Sequence, residues 1–246
     1  MKRLAAFALV LAAAGCALPS RAQVREEFHK TYPLTAAGRL SVDNVNGPVR
    51  ITAWERNEVQ VDAVKRGRSQ GALDDARIVV DARADAIEIR TRYPEHSHDA
   101  ASVEYTLTVP RHAALEGIRT VNGPVEIDGV IGGIRASTVN GNVALRHGEG
   151  DAGLHTTNGR VEADFARLGR TVSAKTVNGS IVLTLPRDAG ARLTAKTVHG
   201  AVHSDFGLPV RHIGFGPGSD IETVIGGGGA DVRLSTVNGA IDLRRQ

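Results

Sequence analysis

The tetrapeptide Thr-Val-Asn-Gly recurs through the second half of this chain, and that repetition constrains the fold more than any other feature. It occurs as Thr120–Gly123, Thr138–Gly141, Thr176–Gly179 and Thr236–Gly239. Thr156–Gly159 and Thr197–Gly200 are variants, and Asn44–Gly47 is an early copy. Successive corner positions at 122, 140, 158, 178 and 199 are separated by 18, 18, 20 and 21 residues. The step from 199 to 238 is 39 residues, close to two periods, and predicts a degenerate copy around Gly214–Ser219. Self-similarity at a fixed period of this size is the signature of a repeat architecture.

Period-2 alternation flanks each Asn-Gly. Val172, Ala174 and Thr176 point one way, and past the turn Ile181, Leu183 and Leu185 do the same. Leu193, Ala195, Thr197, then Val202, Ser204 and Phe206 repeat the scheme, as do Ile134, Ala136, Thr138, Val143 and Leu145. Such alternation describes strands with one buried face, and Asn-Gly suits a turn that needs positive φ. A stack of antiparallel hairpins and a β-solenoid both satisfy this pattern. The solenoid is favoured, because identical residues at one register become columns when coils stack. The expected fold is therefore all-β and β-helix-like, with stacked coils of ~18–21 residues. Thr120, Thr138, Thr156, Thr176, Thr197 and Thr236 would line the inside, their hydroxyls held by backbone at the turn. The structural corners would be Asn122-Gly123, Asn140-Gly141, Asn158-Gly159, Asn178-Gly179 and Asn238-Gly239, with the asparagine amides bonded from coil to coil.

Residues 23–115 are β-rich but less regular, and 116–246 carry the regular repeats, so 23–246 is expected to be one continuous domain. From Gly47 to Gly123 is 76 residues, about four periods, which suggests longer coils of the same solenoid together with an end cap. Gly71–Ala76 is compatible with one short helical turn. Val232–Leu243 would form the final coil, with an open edge flanked by Arg244 and Arg245. That edge predicts a monomer with weak self-association.

The N-terminus reads as a leader. Met1-Lys2-Arg3 precedes an apolar run from Leu4 to Ala14, too short for the ~20 residues that span a bilayer. Ser20-Arg21-Ala22 fits signal-peptidase cleavage after residue 22, while Ala13–Cys16 is the alternative, a lipobox in which Cys16 would be lipidated. Cleavage after Ala22 removes Lys2, Arg3 and Arg21 and takes the net charge from +3 to zero. A neutral mature chain with 4% aromatic residues does not suit nucleic acid, and a single cysteine cannot form an internal disulfide. The expected location is the periplasm, the outer membrane or the exterior, with the membrane touched only through a lipid anchor.

The run from Asn44 to Val59 (NVNGPVRITAWERNEV), Tyr93-Pro94, Val103–Pro110 and the Thr-Val-Asn-Gly ladder together resemble a bacterial "putative adhesin" family, the toast-rack β-strand-repeat proteins. The resemblance covers about residues 38 to 246. It implies an exported β-solenoid described as an adhesin, with no catalytic residues to carry over. His199, in place of Asn, departs from the pattern and would interrupt the ladder.

Candidate chemistry is sparse. His96 and His98, within Glu95–Asp99, form an His-x-His segment of the kind that binds zinc or copper, but with no Cys and no further placed His a solvated polar loop between strands is the favoured reading. Glu162 and Asp164 share one strand face, a spacing seen in acid/base pairs and Ca²⁺ sites, but the adjacent coil offers only Val182 and Thr184. His199 and His203 lie across a turn from each other. Gly214–Gly218 and Gly226–Gly229 lead into neither Lys-Ser/Thr nor a helix, so they are not phosphate loops. No catalytic, cofactor or metal site is assigned. The reading is an envelope binding or scaffold protein with an unidentified glycan or protein ligand. Its rivals are a polysaccharide lyase or hydrolase and a self-associating envelope-stress or assembly component.

Overall fold

The computed structural model describes residues 23–94, 101–209, 211–212 and 218–246. The N-terminal part holds β1 (Val24–Pro33), β2 (Arg39–Asp43), β3 (Val49–Trp54) and β4 (Glu58–Gly67). The short helix α1 (Gln70–Asp75) follows, then β5 (Arg77–Ala82), β6 (Ala86–Arg92) and β7 (Ser102–Pro110). The repeats contribute β8 (Ala114–Asn122), β9 (Val125–Asp128), β10 (Ile134–Asn140), β11 (Val143–Asn158), β12 (Val161–Lys175) and β13 (Ile181–Leu185). After them come β14 (Ala191–His199), β15 (Val202–Ser204), β16 (Arg211–His212), β17 (Ser219–Ile225), β18 (Ala230–Asn238) and β19 (Ile241–Arg245). α1 begins where the sequence suggested a helical turn: Ser69 caps it, its hydroxyl accepting from Ala72 N at 3.2 Å, and Ala72 and Leu73 are buried.

Each repeat coil is strand, Asn-Gly corner (His199-Gly200 between β14 and β15), strand, and equivalent strands stack in parallel. The fold is a β-solenoid. Ile134 aligns with Ala152 and Thr138 with Thr156, and beyond the corner Val143 aligns with Val161 and Val161 with Ile181. Two facing stacks result, and the inward apolar residues between them form one core. Ile181, Leu183 and Leu185 are fully buried in it, each stabilising the fold by about 1.5–3 kcal/mol through transfer from water. Lys175 is exposed, and Ser180 and Thr184 are half-buried. Val182, on the outer face in register with Glu162 and Asp242, is buried as well.

Stack order departs from chain order at both ends, and this corrects two expectations. β18–β19 is not an end coil: β18 pairs with β12 on one side and β14 on the other, and β19 pairs with β13 and β15. Most of the copy expected around Gly214–Ser219 lies outside the described residues; the described part of the 39-residue step holds an antiparallel excursion in which β17 pairs with β14. At the opposite end the first coil, β2–β3, also lies second in the stack, between β6–β7 and β8–β9. Between Gly47 and Gly123 lie the β6–β7 coil and the antiparallel pairs of β4 on β7 and β5 on β6, and β1, which precedes Gly47, is laid antiparallel on β4. Edge chemistry accounts for both arrangements. A parallel coil left at the end would offer two unpaired ladders, and antiparallel strands laid on the outermost coil close at least one of them.

Candidate binding face

Each position of the Thr-Val-Asn-Gly corner has its own task. The threonine is inward, and its hydroxyl donates to the corner glycine carbonyl of the neighbouring coil: Thr138 to Gly123 at 2.9 Å, Thr156 to Gly141 at 2.8 Å, Thr176 to Gly159 at 2.9 Å. Thr236 to Gly179 and Thr197 to Gly239 continue the column in stack order. The asparagines form a ladder of amide hydrogen bonds. Asn122 donates to Asn46 at 2.8 Å, Asn140 to Asn122, Asn158 to Asn140, Asn178 to Asn158, and Asn238 to Asn178. His199 pairs in register with Asn238 at the far end, so it follows the ladder and interrupts nothing. The corner glycines are required by φ and by close approach together. Gly179 has φ +156°, and a Cβ there would sit 2.6 Å from the Gly159 carbonyl carbon and closer still to its oxygen. Gly47, Gly123, Gly159, Gly200 and Gly239 are likewise of positive φ, as the Asn-Gly corners predict. Gly141 is not among the glycines of positive φ, yet its Cβ would meet the Gly123 carbonyl in the same way.

At the first coil Asn44 takes the threonine position. Its amide donates to Val103 O at 2.9 Å and Gly47 O at 3.1 Å, and it accepts from Thr91, whose hydroxyl also meets Tyr105 Oη at 2.7 Å. Burial pushes the Tyr105 phenol well above its ordinary value, and Tyr93 beside this end is pushed up to about 12 by the same cause. This network closes the end of the core without an orphaned polar side chain among the described residues.

The valine of the repeat points outward, and sequence reasoning passed it over. Val121, Val139, Val237 and Val198 are 38%, 40%, 38% and 47% exposed, and they run along the corner as an apolar ridge. One outward row further from the corner, register places Asp43, Arg119, Ser137, His155, Lys175, Ser235 and Lys196 side by side. From Arg119 to Lys196 this row contains no carboxylate, and Asp43 and Asp220 bound it at its two ends. It extends over five strand spacings, about 24 Å at ~4.8 Å each. The ion pairs of this face lie elsewhere, at Arg39–Asp85, Arg90–Glu88 and Arg233–Asp231. Among the described residues Arg119, Lys175 and Lys196 make none. Beside the row lies a groove of about 500 Å³ floored by Gly153 and Ser173 and bounded by Arg135, Glu116 and Asp151. Asp151 is engaged there by the backbone N–H groups of Arg170 at 2.6 Å and Thr171 at 3.0 Å.

The other candidates fare differently. His96 and His98 lie outside the described residues, as do Cys16 and the whole 1–22 segment. Glu162 and Asp164 share the outer face of β12, and Asp164 accepts from Gln246 Nε2 at 2.9 Å. His203 aligns with Asp242 on β19. His147, which the sequence did not single out, occupies the bulge where Arg146 and His147 together oppose Asp164. It has φ +49°, and its Nδ1 lies 2.8 Å from Asp128 Oδ1. That hydrogen bond and the Asp128 charge, with a smaller contribution from Asp164, hold its imidazole above the ordinary histidine value. Among the described residues no group of three or more His, Cys, Asp or Glu is gathered for a metal ion. No helix among them is long and apolar enough to cross a membrane.

The family described as Toastrack DUF4097 matches residues 117–244. No curated protein matches the sequence. Among solved structures, a "putative cell adhesion protein" from Clostridium sporogenes is similar at TM-score 0.54 and 14% identity, over 91% of this chain and 100% of that one. A "putative adhesin" from Bacteroides fragilis aligns at TM-score 0.35 and 12% identity, over 93% and 99% of the two chains. At 14% identity the likeness to the Clostridium protein concerns the fold alone.

Proposed function

This chain belongs to the toastrack family, and from that premise we propose that it is an exported, non-catalytic binding protein of the cell envelope. Its ligand is an acidic extracellular polymer, a glycan bearing carboxylate or sulfate groups. The working unit is residues 23–246. Residues 1–22 serve as the leader, removed after Ala22 or shortened to a lipid-bearing Cys16, and the protein works in the periplasm, on the outer membrane or outside the cell. The observation that carries the reading is the row Arg119, His155, Lys175 and Lys196, free of carboxylates and set beside the exposed valine ridge. Arg119, Lys175 and Lys196, which make no ion pair among the described residues, complement a linear polyanion and raise its rate of encounter. The adhesin description borne by the Clostridium relative accords with a binding role.

The test is retention of the purified protein on polygalacturonate, dextran sulfate and neutral dextran at rising salt. Binding to the two acidic polymers should weaken as salt rises, and a Lys175→Glu/Lys196→Glu variant should lose it while keeping its fold. Glu162→Gln should bind as wild type. Equal retention on neutral dextran, or binding indifferent to salt and to the charge reversal, would sink the proposal. Release of sugar fragments from polygalacturonate would favour the lyase or hydrolase alternative instead.

A further inference from the structure

Correcting the coil order moves the principal open edge of the molecule. The β18–β19 coil is paired on both sides, whereas β1 pairs, among the described residues, only with β4. Its other edge offers Val24–Pro33, ten residues of extended backbone. Edges of that length are normally blunted or occupied.

The sequence of β1 specifies what could occupy it. On the core side Val24, Glu26, Phe28 and Tyr32 are half-buried, while Arg25, Glu27, His29 and Thr31 face outward and are exposed. A second copy of β1 laid antiparallel along this edge continues both faces of the sheet only if partners share parity. Centred on Phe28, the register sets Glu26 against Lys30, Glu27 against His29, Val24 against Tyr32, and Phe28 against its own counterpart. Glu26 and Lys30 are then of opposite sign, Glu27 faces the His29 imidazole, and Arg25 meets Thr31. Centred on Glu27, the register would oppose Glu27 to itself and Arg25 to His29. Centred on His29, it would oppose His29 to itself and leave Glu26 against Tyr32. Within the chain Glu26 meets Lys65 at 2.9 Å, Glu27 meets Arg25 at 2.6 Å and His29 Nδ1 meets Asp62, whereas Lys30, among the described residues, reaches only the Phe28 ring, 5.4 Å from its centroid.

We propose that two copies of this chain associate about a two-fold axis through β1, antiparallel and centred on Phe28, so that one sheet runs through both. Cross-strand pairs of this kind contribute about 0.2–1 kcal/mol each. The dimer is therefore weak and concentration-dependent, and an isologous contact of this type closes on itself without growing into a fibre. Two copies joined in this way would also present two basic faces to one polymer.

Cysteine cross-linking reads the register directly. In a Cys16→Ser background, Glu27→Cys/His29→Cys should form intermolecular disulfides under mild oxidation. Cα atoms of directly opposed strand residues lie within the ~4.4–6.8 Å that a disulfide spans. Phe28→Cys should link to itself, whereas Arg25→Cys and Pro33→Cys should not. The pair at 27 and 29 is on the exposed face, so its folding is not at issue if Phe28→Cys misfolds. Sedimentation equilibrium should show dimer increasing with concentration. Lys30→Glu should weaken it by about tenfold, since two favourable pairs become like-charge pairs. A monomer at all concentrations, or cross-linking at 25 as efficient as at 27 and 29, overturns the proposal.

Discussion

Two adjacent threonines allow a sharp test of the corner chemistry. Thr156 is fully buried and donates to Gly141 O at 2.8 Å. Thr157 is half-buried in the outward row where other coils carry valine, and its hydroxyl makes no hydrogen bond among the described residues. Replacing either with valine keeps the shape and removes one hydroxyl. In Thr156→Val the Gly141 carbonyl loses its one donor and stays in the packed corner. A buried acceptor left unpaired costs about 1–3 kcal/mol. For a protein of this size each kcal/mol lowers the melting temperature by about 2–4 °C, so a loss of about 2–12 °C is expected. Thr157→Val breaks nothing and should stay within about 0.5 kcal/mol of wild type. Thr156→Ser, which keeps the hydroxyl, should recover part of the loss. Thermal unfolding followed by circular dichroism, with urea midpoints at unchanged slope, measures all three. If Thr156→Val were as stable as wild type, or both valine variants fell equally, the hydroxyl column would not be holding the glycine carbonyls.

Other outcomes follow from the same geometry. Gly179→Ala should be among the most damaging single changes, because its methyl would fall on the Gly159 carbonyl at a corner held from both sides; a soluble variant with wild-type urea midpoint would contradict the close approach. The His147 imidazole should titrate above the ordinary histidine value, and Asp128→Asn should lower its midpoint by NMR. Because the folded value is raised, the stability this pair contributes is present below the unfolded value near 6.5 and lost as pH rises through the folded one; a midpoint unmoved by Asp128→Asn refutes the assignment. Arg244→Ala/Arg245→Ala should leave the association state unchanged in light scattering, since β19 is paired on both edges. New oligomers in that variant would restore the open C-terminal coil.

The repeated tetrapeptide and its alternating flanks determined the strands, the corner, the inward threonines and the stacked asparagines. All are local properties: side-chain alternation and turn chemistry act over a few residues, and identical residues at one register stack as columns wherever the coils go. The outward valine was legible too, being opposite in parity to the inward threonine. Coil order was not. The Asn-Gly coils carry the same corner at the same register, so exchanging two of them leaves the columns intact and changes nothing that periodicity can read. Tertiary structure decided that β2–β3 and β18–β19 lie one place inside the ends, because only the whole molecule has edges to close. The basic row depends on that decision, since Lys175 and Lys196 flank Ser235 only after the β18–β19 coil has inserted between theirs. The open edge at β1, the bulge at His147 and the close approach at the corner glycines arise likewise from contacts between coils, which no single stretch of sequence contains.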